Sequence, residues 1–126
     1  MTALIDGEAL IALERGRAAL FPALDAGEPV AIAAPTASEL LEAVDRAADP
    51  AVATQRASFV ERLLERVDVV AFDGSAARMR ARLEAAGAVA DARALDVAAI
   101  ALSRGWRVAT TNGRYERIPG LDVVRL

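Results

Sequence analysis

Short apolar runs separated by stretches of helical periodicity constrain this chain more than any other feature. Ala3–Ile5 reads as a strand buried on both faces, because a half-exposed strand would alternate apolar and polar residues. Val30–Ala34, stopped by Pro35, reads the same way, Val67–Phe72 is a third strand candidate, Trp106–Thr110 a fourth, and Leu121–Leu126 a terminal strand. Between these runs lie amphipathic segments. The first starts at Gly7 and is capped by Gly16, and a second short one covers Arg17–Asp25. The helix after Pro35 carries a capping box, Thr36 with Glu39 three residues on. Asp49-Pro50 introduces a helix over Ala51–Arg66, and Asp73-Gly74-Ser75 opens one over Ala76–Ala86 that Gly87 ends. After Ala88–Arg93, a loop or the start of a helix, the Ala-rich segment Ala94–Leu102 must pack closely before Gly105 stops it. Asn112-Gly113 and Pro119-Gly120 mark turns. Strands and helices alternating at this spacing predict an α/β fold of three layers, with helices on both faces of a mostly parallel sheet of four to five strands. A chain of 126 residues holds one such domain, expected to span residues 1–126.

Composition excludes more chemistry than it suggests. The chain has no His and no Cys, and all 15 of its basic residues are Arg. That removes imidazole bases, thiolate nucleophiles, Schiff-base and P-loop lysines, zinc fingers and disulfides. Any catalysis falls to carboxylates, acting either as a glycosidase pair or as an oxygen cage for Mg²⁺ or Mn²⁺. A single Trp and a single Tyr are too few to build a sugar-stacking groove, which disfavours the first. A net charge of −3 gives no global attraction to nucleic acid, so such binding would need a local arginine face. No basic region precedes the first apolar run, and none of the runs approaches the ~20 residues that span a bilayer. A cytoplasmic protein without membrane contact is the expectation.

The acids near the predicted strand ends form a pattern. Asp6 closes the first strand, Glu39 opens the helix after the second, and Asn112 follows the fourth. In a parallel α/β sheet these positions lie on one rim, where ligands collect at the reversal of strand order. Each has a plainer role on its own: Asp6 as a helix N-cap, Glu39 as the third residue of a capping box. Converging carboxylates repel, by several kcal/mol at about 4 Å and an effective dielectric near 20. A bound divalent metal resolves that cost.

Several strings together resemble the PIN-domain ribonucleases, specifically VapC-type toxins of type II toxin–antitoxin systems. They are Asp6 with Ile11-Ala12-Leu13-Glu14-Arg15 behind it, Thr36-Ala37-Ser38-Glu39-Leu40-Leu41, Ala98-Ala99-Ile100-Ala101-Leu102-Ser103-Arg104-Gly105-Trp106, and Thr110-Thr111-Asn112 with Ile118-Pro119-Gly120-Leu121. The resemblance runs in order along essentially the whole chain. It implies an α/β/α PIN-like domain, Mg²⁺- or Mn²⁺-dependent cleavage of RNA, often structured RNA such as transfer RNA, and a cognate VapB-like antitoxin. By position, Asp6 resembles the first metal-binding acid and Glu39 the second. Asn112 resembles the polar residue that often replaces an acid after the fourth strand. Departures accompany the likeness. Gly7-Glu8 stands where the family has Thr or Asn followed by Ser, and Arg114 stands where an acid commonly precedes the aromatic residue, here Tyr115.

The third metal-binding acid has two candidates. Alignment on the Ala98–Leu102 helix puts Ala94 at its usual place. Asp91 lies one helical turn earlier on the same face, while Asp96 is about 200° around the helix. If the helix is two residues shorter toward Gly105, Asp96 is the third acid, as Arg93-Ala94-Leu95-Asp96 suggests. Asp96 is the first choice and Asp91 the second. The mechanism so implied uses one or two metal ions on an in-line displacement at phosphorus, with Glu39 or the third aspartate orienting water and Arg15, Arg17, Arg78 or Arg114 contacting phosphates. The alternative is a PIN fold with a degraded site, binding RNA or protein without turnover. The apolar face Phe59–Leu64 and the C-terminal strand offer surface for a homodimer or an antitoxin groove.

Overall fold

In a computed structural model, which describes residues 1–15, 27–111 and 113–126, the chain forms a three-layer α/β/α fold. In chain order the elements are β1 (Ala3–Ile5), α1 (Gly7–Glu14), β2 (Val30–Ala33), α2 (Ala34–Arg46), α3 (Pro50–Arg66), β3 (Asp68–Val70), α4 (Gly74–Ala85), α5 (Ala92–Arg104), β4 (Arg107–Thr110) and β5 (Val123–Arg125). The five strands lie in the order β3-β2-β1-β4-β5, and every pairing is parallel. Where a mostly parallel sheet was expected, this one is wholly so. The helical stretch expected at Arg17–Asp25, its preceding cap Gly16, and Asn112 lie outside the described residues.

Strand alternation distributes side chains between two cores. Leu4 pairs with Ala31 on one side and Val108 on the other, and all three point to the face covered by α4 and α5. Ala3, Ile5, Ile32 and Ala109 point the opposite way, where they meet Leu10 of α1, Leu40 of α2 and Val60 of α3. Since β1 is covered on both faces, its residues are apolar without interruption. Ala94, Ala98, Ala99 and Ala101 are fully buried in α5, so the helix backbone approaches the sheet closely. Gly105 ends α5 at φ 68°, a left-handed conformation that side chains resist.

Among the described residues α1, α3, α4 and α5 each follow an aspartate cap; Asp49, Asp73 and Asp91 accept from the amides of Ala51, Ala76 and Ala94 at 2.9–3.0 Å. The start of α2 differs from expectation. The residue before the helix is Ala33, which has no side-chain cap, and Pro35 lies in the first turn rather than ending a strand. Proline's fixed φ suits the start of a helix, so α2 begins ahead of Thr36 and the Thr36–Glu39 capping box does not form. Thr36 is buried instead, and the Glu39 carboxylate is released for other contacts. Likewise α5 begins at Ala92, which puts Asp91 just outside it. Among the described residues no helix is long and apolar enough to cross a membrane.

The close approach of α5 gives a direct test. Ala98→Leu forces three extra carbons into a filled space and is expected to lower stability by about 1–3 kcal/mol, read as the midpoint of urea unfolding.

Candidate active site

Strand order reverses between β1 and β4, and Asp6 stands at that reversal. Its amide donates to the Ala109 carbonyl of β4 at 2.9 Å, which fixes the backbone as the chain leaves the sheet. The residue is only 2% exposed. Oδ1 accepts from the Gly7 amide at 2.9 Å and from the Tyr115 hydroxyl at 3.2 Å, and Oδ2 accepts from the Thr110 hydroxyl at 2.9 Å. A capping aspartate ordinarily reaches the second or third amide of its helix. Asp6 takes the first amide and two hydroxyls from the far end of the chain, an arrangement that fixes the carboxylate in place more than it caps α1. Tyr115 and Thr110 are themselves buried.

Glu39 comes to this carboxylate from α2. Any Cβ placed at Gly7 would overlap Glu39 Oε1, so the glycine provides the space in which the second acid lies beside the first. The Gly7 that departs from the family pattern therefore has a steric reason. The other oxygen, Oε2, accepts from Arg93 Nη1 at 3.2 Å, and the same guanidinium reaches Glu42 at 3.4 Å.

The remaining candidates separate. Asp91, at the head of α5, accepts from Arg114 Nη2 at 2.8 and 3.0 Å, and Arg114 Nη1 stands 3.9 Å from Asp6 Oδ1. Asp91 is thus joined to Asp6 through an arginine. Asp96 makes its contact elsewhere, accepting from Arg80 Nε of α4 at 2.9 Å. Asn112 lies outside the described residues, and among those described no three acids come close enough to hold a metal ion together. Arg93 and Arg114 bring positive charge to these acids, Arg93 to Glu39 and Glu42 and Arg114 to Asp91 and, more distantly, Asp6. Sequence reasoning missed Arg93, Thr110 and Tyr115 as parts of this site. Arg93 has no local signature, since its partners lie 54 and 51 residues away.

Electrostatics follow from the burial. Desolvation pushes the Asp6 carboxyl above its ordinary range, and the nearby charge of Glu39 pushes the same way; the hydrogen bond from Thr110 and the charge of Arg114 oppose both. Burial also raises the Tyr115 hydroxyl, as does the charge of Asp6, so the phenol stays a donor. Desolvation works against the charge on Asp91, but the Ala94 amide and Arg114 outweigh it and hold that carboxyl below its ordinary range.

The donors present suit a hard cation. The acids offer only oxygen, and Mg²⁺ is commonly held by one or two carboxylates together with water and phosphate oxygens. Asp6 and Glu39, brought together over Gly7, meet that requirement as two ligands.

No family model and no curated protein matches the sequence. Solved structures do. The chain is similar to VapBC-5 from Mycobacterium tuberculosis, a member of the VapBC family of toxin–antitoxin systems, with 27% identity and a TM-score of 0.80 over 99% of this chain and 98% of that one. It is also similar to DNA-bound VapBC from Salmonella typhimurium, with 23% identity, a TM-score of 0.82 and the same coverage. FitAcB from Neisseria gonorrhoeae matches at 22% identity and a TM-score of 0.73, over 99% and 97%. The fold is that of the PIN domain. Within that class, the component that the chain resembles over its whole length is VapC of the VapBC toxin–antitoxin complexes.

The raised carboxyl of Asp6 has a consequence for stability. Between the carboxyl's unfolded value, about 3.9, and its higher folded one, the native state holds more protons than the unfolded state. Its contribution to stability therefore falls as pH rises through that window and stays low above it. Asp6→Asn removes the loss while keeping the shape. In the presence of a chelator, the variant is expected to exceed the natural protein in urea midpoint at pH 7, with a gap that closes toward pH 4.

Proposed function

We propose that the chain is the toxin of a VapBC-like pair: an endoribonuclease dependent on Mg²⁺ or Mn²⁺ and neutralised by a VapB-like antitoxin. The observation that carries this reading is the meeting of Asp6 and Glu39 over Gly7 at the reversal of strand order. A divalent ion held there supplies a charge that lowers the pKa of water and offsets negative charge on a phosphodiester. The chain's residues do the positioning. Thr110, Tyr115 and the Gly7 amide hold Asp6 in one orientation, so its oxygens need no reorganisation to act as ligands. Arg93 holds Glu39 toward Asp6. Asp91, tied to the cluster through Arg114, is the better third acid than Asp96, which is occupied at α4. Asn112 enters the proposal only by its place in the chain, two residues past Thr110.

Structured RNA such as transfer RNA is the proposed substrate, on the strength of the family resemblance. For the antitoxin, a groove of about 340 Å³ at the end of α3, lined by Phe59, Arg62, Leu63, Arg66 and Val67, suits an apolar segment with acidic neighbours. The same apolar face is the proposed site of a homodimer. One observation favours the alternative of a binding module without turnover. Arg114 stands where an acid commonly stands in the family, and its charge occupies Asp91.

Cleavage of total RNA in the presence of Mn²⁺ decides between them. Asp6→Asn and Glu39→Gln are each expected to lower the rate by more than about a hundredfold, beyond what loss of a supporting contact costs. A natural protein that leaves RNA intact, or an Asp6→Asn variant that cleaves as well as it does, would overturn the nuclease reading.

A further inference from the structure

Arg114 bridges two acids of the site. It approaches Asp6 and Asp91 from between them, with Nη1 3.9 Å from Asp6 Oδ1 and Nη2 within 2.8 and 3.0 Å of the two Asp91 oxygens. Its side chain is mostly shielded from water, and its guanidinium carbon lies 5.6 Å from the centre of the neighbouring Tyr115 ring. Tyr115 in turn is fixed by burial and by its bond to Asp6. The guanidinium thus lies beside a buried ring, between two carboxylates.

We propose that Arg114 is the site's own cation: it neutralises Asp6 and Asp91, keeps Asp91 from joining Asp6 and Glu39, and must turn away before three acids can hold one divalent ion. The inference rests on the reading that Asp6 and Glu39 bind such an ion. An arginine and a divalent ion compete for the same carboxylate oxygens, and each repels the other across a few ångströms. Arginine does not lose its proton at any pH a protein experiences, so movement alone can relieve the competition. The position suits such movement, because Arg114 lies in the turn-rich segment after β4 rather than on a helix, and Asp91 keeps the Ala94 amide as a partner when the arginine leaves. Freed, the fork can grip a phosphate in two places at once. Divalent binding is therefore weak in the natural protein, and it gains a third ligand only when Arg114 is gone.

Calorimetric titration of the full chain with MnCl₂ tests this without reference to cleavage. Arg114→Gln is expected to bind Mn²⁺ at least about tenfold tighter than the natural protein, a difference of ~1.4 kcal/mol. Adding Asp91→Asn to that variant should return most of the gain, while Asp91→Asn alone should bring none. Equal or weaker binding by Arg114→Gln, or a gain that survives the loss of Asp91, would overturn the proposal. Should Arg114→Gln fail to fold, the natural protein supplies the answer through the side-chain Nε–H resonance of Arg114. Saturating MgCl₂ should shift it as the guanidinium leaves Asp91, and an unmoved resonance at saturation sinks the idea. Tighter Mn²⁺ binding in a protein that never cleaves RNA would uphold the role of Arg114 and remove the nuclease reading. Unchanged Mn²⁺ binding alongside cleavage lost in Asp6→Asn would do the reverse.

Discussion

The hydrogen bond from the Thr110 hydroxyl to Asp6 is the contact on which the site depends. It closes the seam between β1 and β4, the two strands that flank the reversal of the sheet, and it does so with both groups out of contact with water. A carboxylate buried to this depth is costly unless donors surround it. Gly7 at the start of α1, Thr110 at the end of β4 and Tyr115 in the turns that follow supply those donors. The same enclosure that raises the carboxyl's pKa prevents it from rotating. Stability is given up at this position, and a fixed orientation is gained.

Around that fixed acid the chain arranges charge in pairs. Arg93 answers Glu39 and Glu42, Arg114 answers Asp91 and approaches Asp6, and Arg80 draws Asp96 to α4. With no lysine or histidine available, all these pairs use guanidinium, whose planar fork matches carboxylate geometry and whose charge does not titrate. Such pairs add little stability where they are exposed to water. Their effect is on position: Asp91 is linked toward Asp6 through Arg114, while Asp96 is paired at α4.

Much of the architecture was legible in the residues. Short apolar runs without alternation identified β1 and β2 as strands covered on both faces, and the Ala-rich α5 announced a helix in close contact with the sheet. Asp6 was legible because strand, acid and helix follow each other without a gap. The start of α2 was misread because Thr36 and Glu39 have the spacing of a capping box, and the preference of proline for a first turn prevailed over it. The rest of the site was hidden for a physical reason. Thr110, Tyr115 and Arg93 matter through contacts with residues dozens of positions away, and local pattern carries no trace of such contacts. The choice between Asp91 and Asp96 turned on where α5 begins, a boundary that spacing alone leaves loose. Arg114 was visible as a missing acid. Its meeting with Asp91 required coordinates.

The two hydroxyl donors to Asp6 follow it in the chain by 104 and 109 positions. A nascent chain therefore carries a carboxylate whose companions have not yet been translated. Until β4 has left the ribosome and inserted beside β1, there is no enclosure to orient the acid and no ring on which Arg114 can rest. Whatever chemistry depends on that fixed acid is closed to the growing polypeptide until the segment through Tyr115 has been made and has folded against β1.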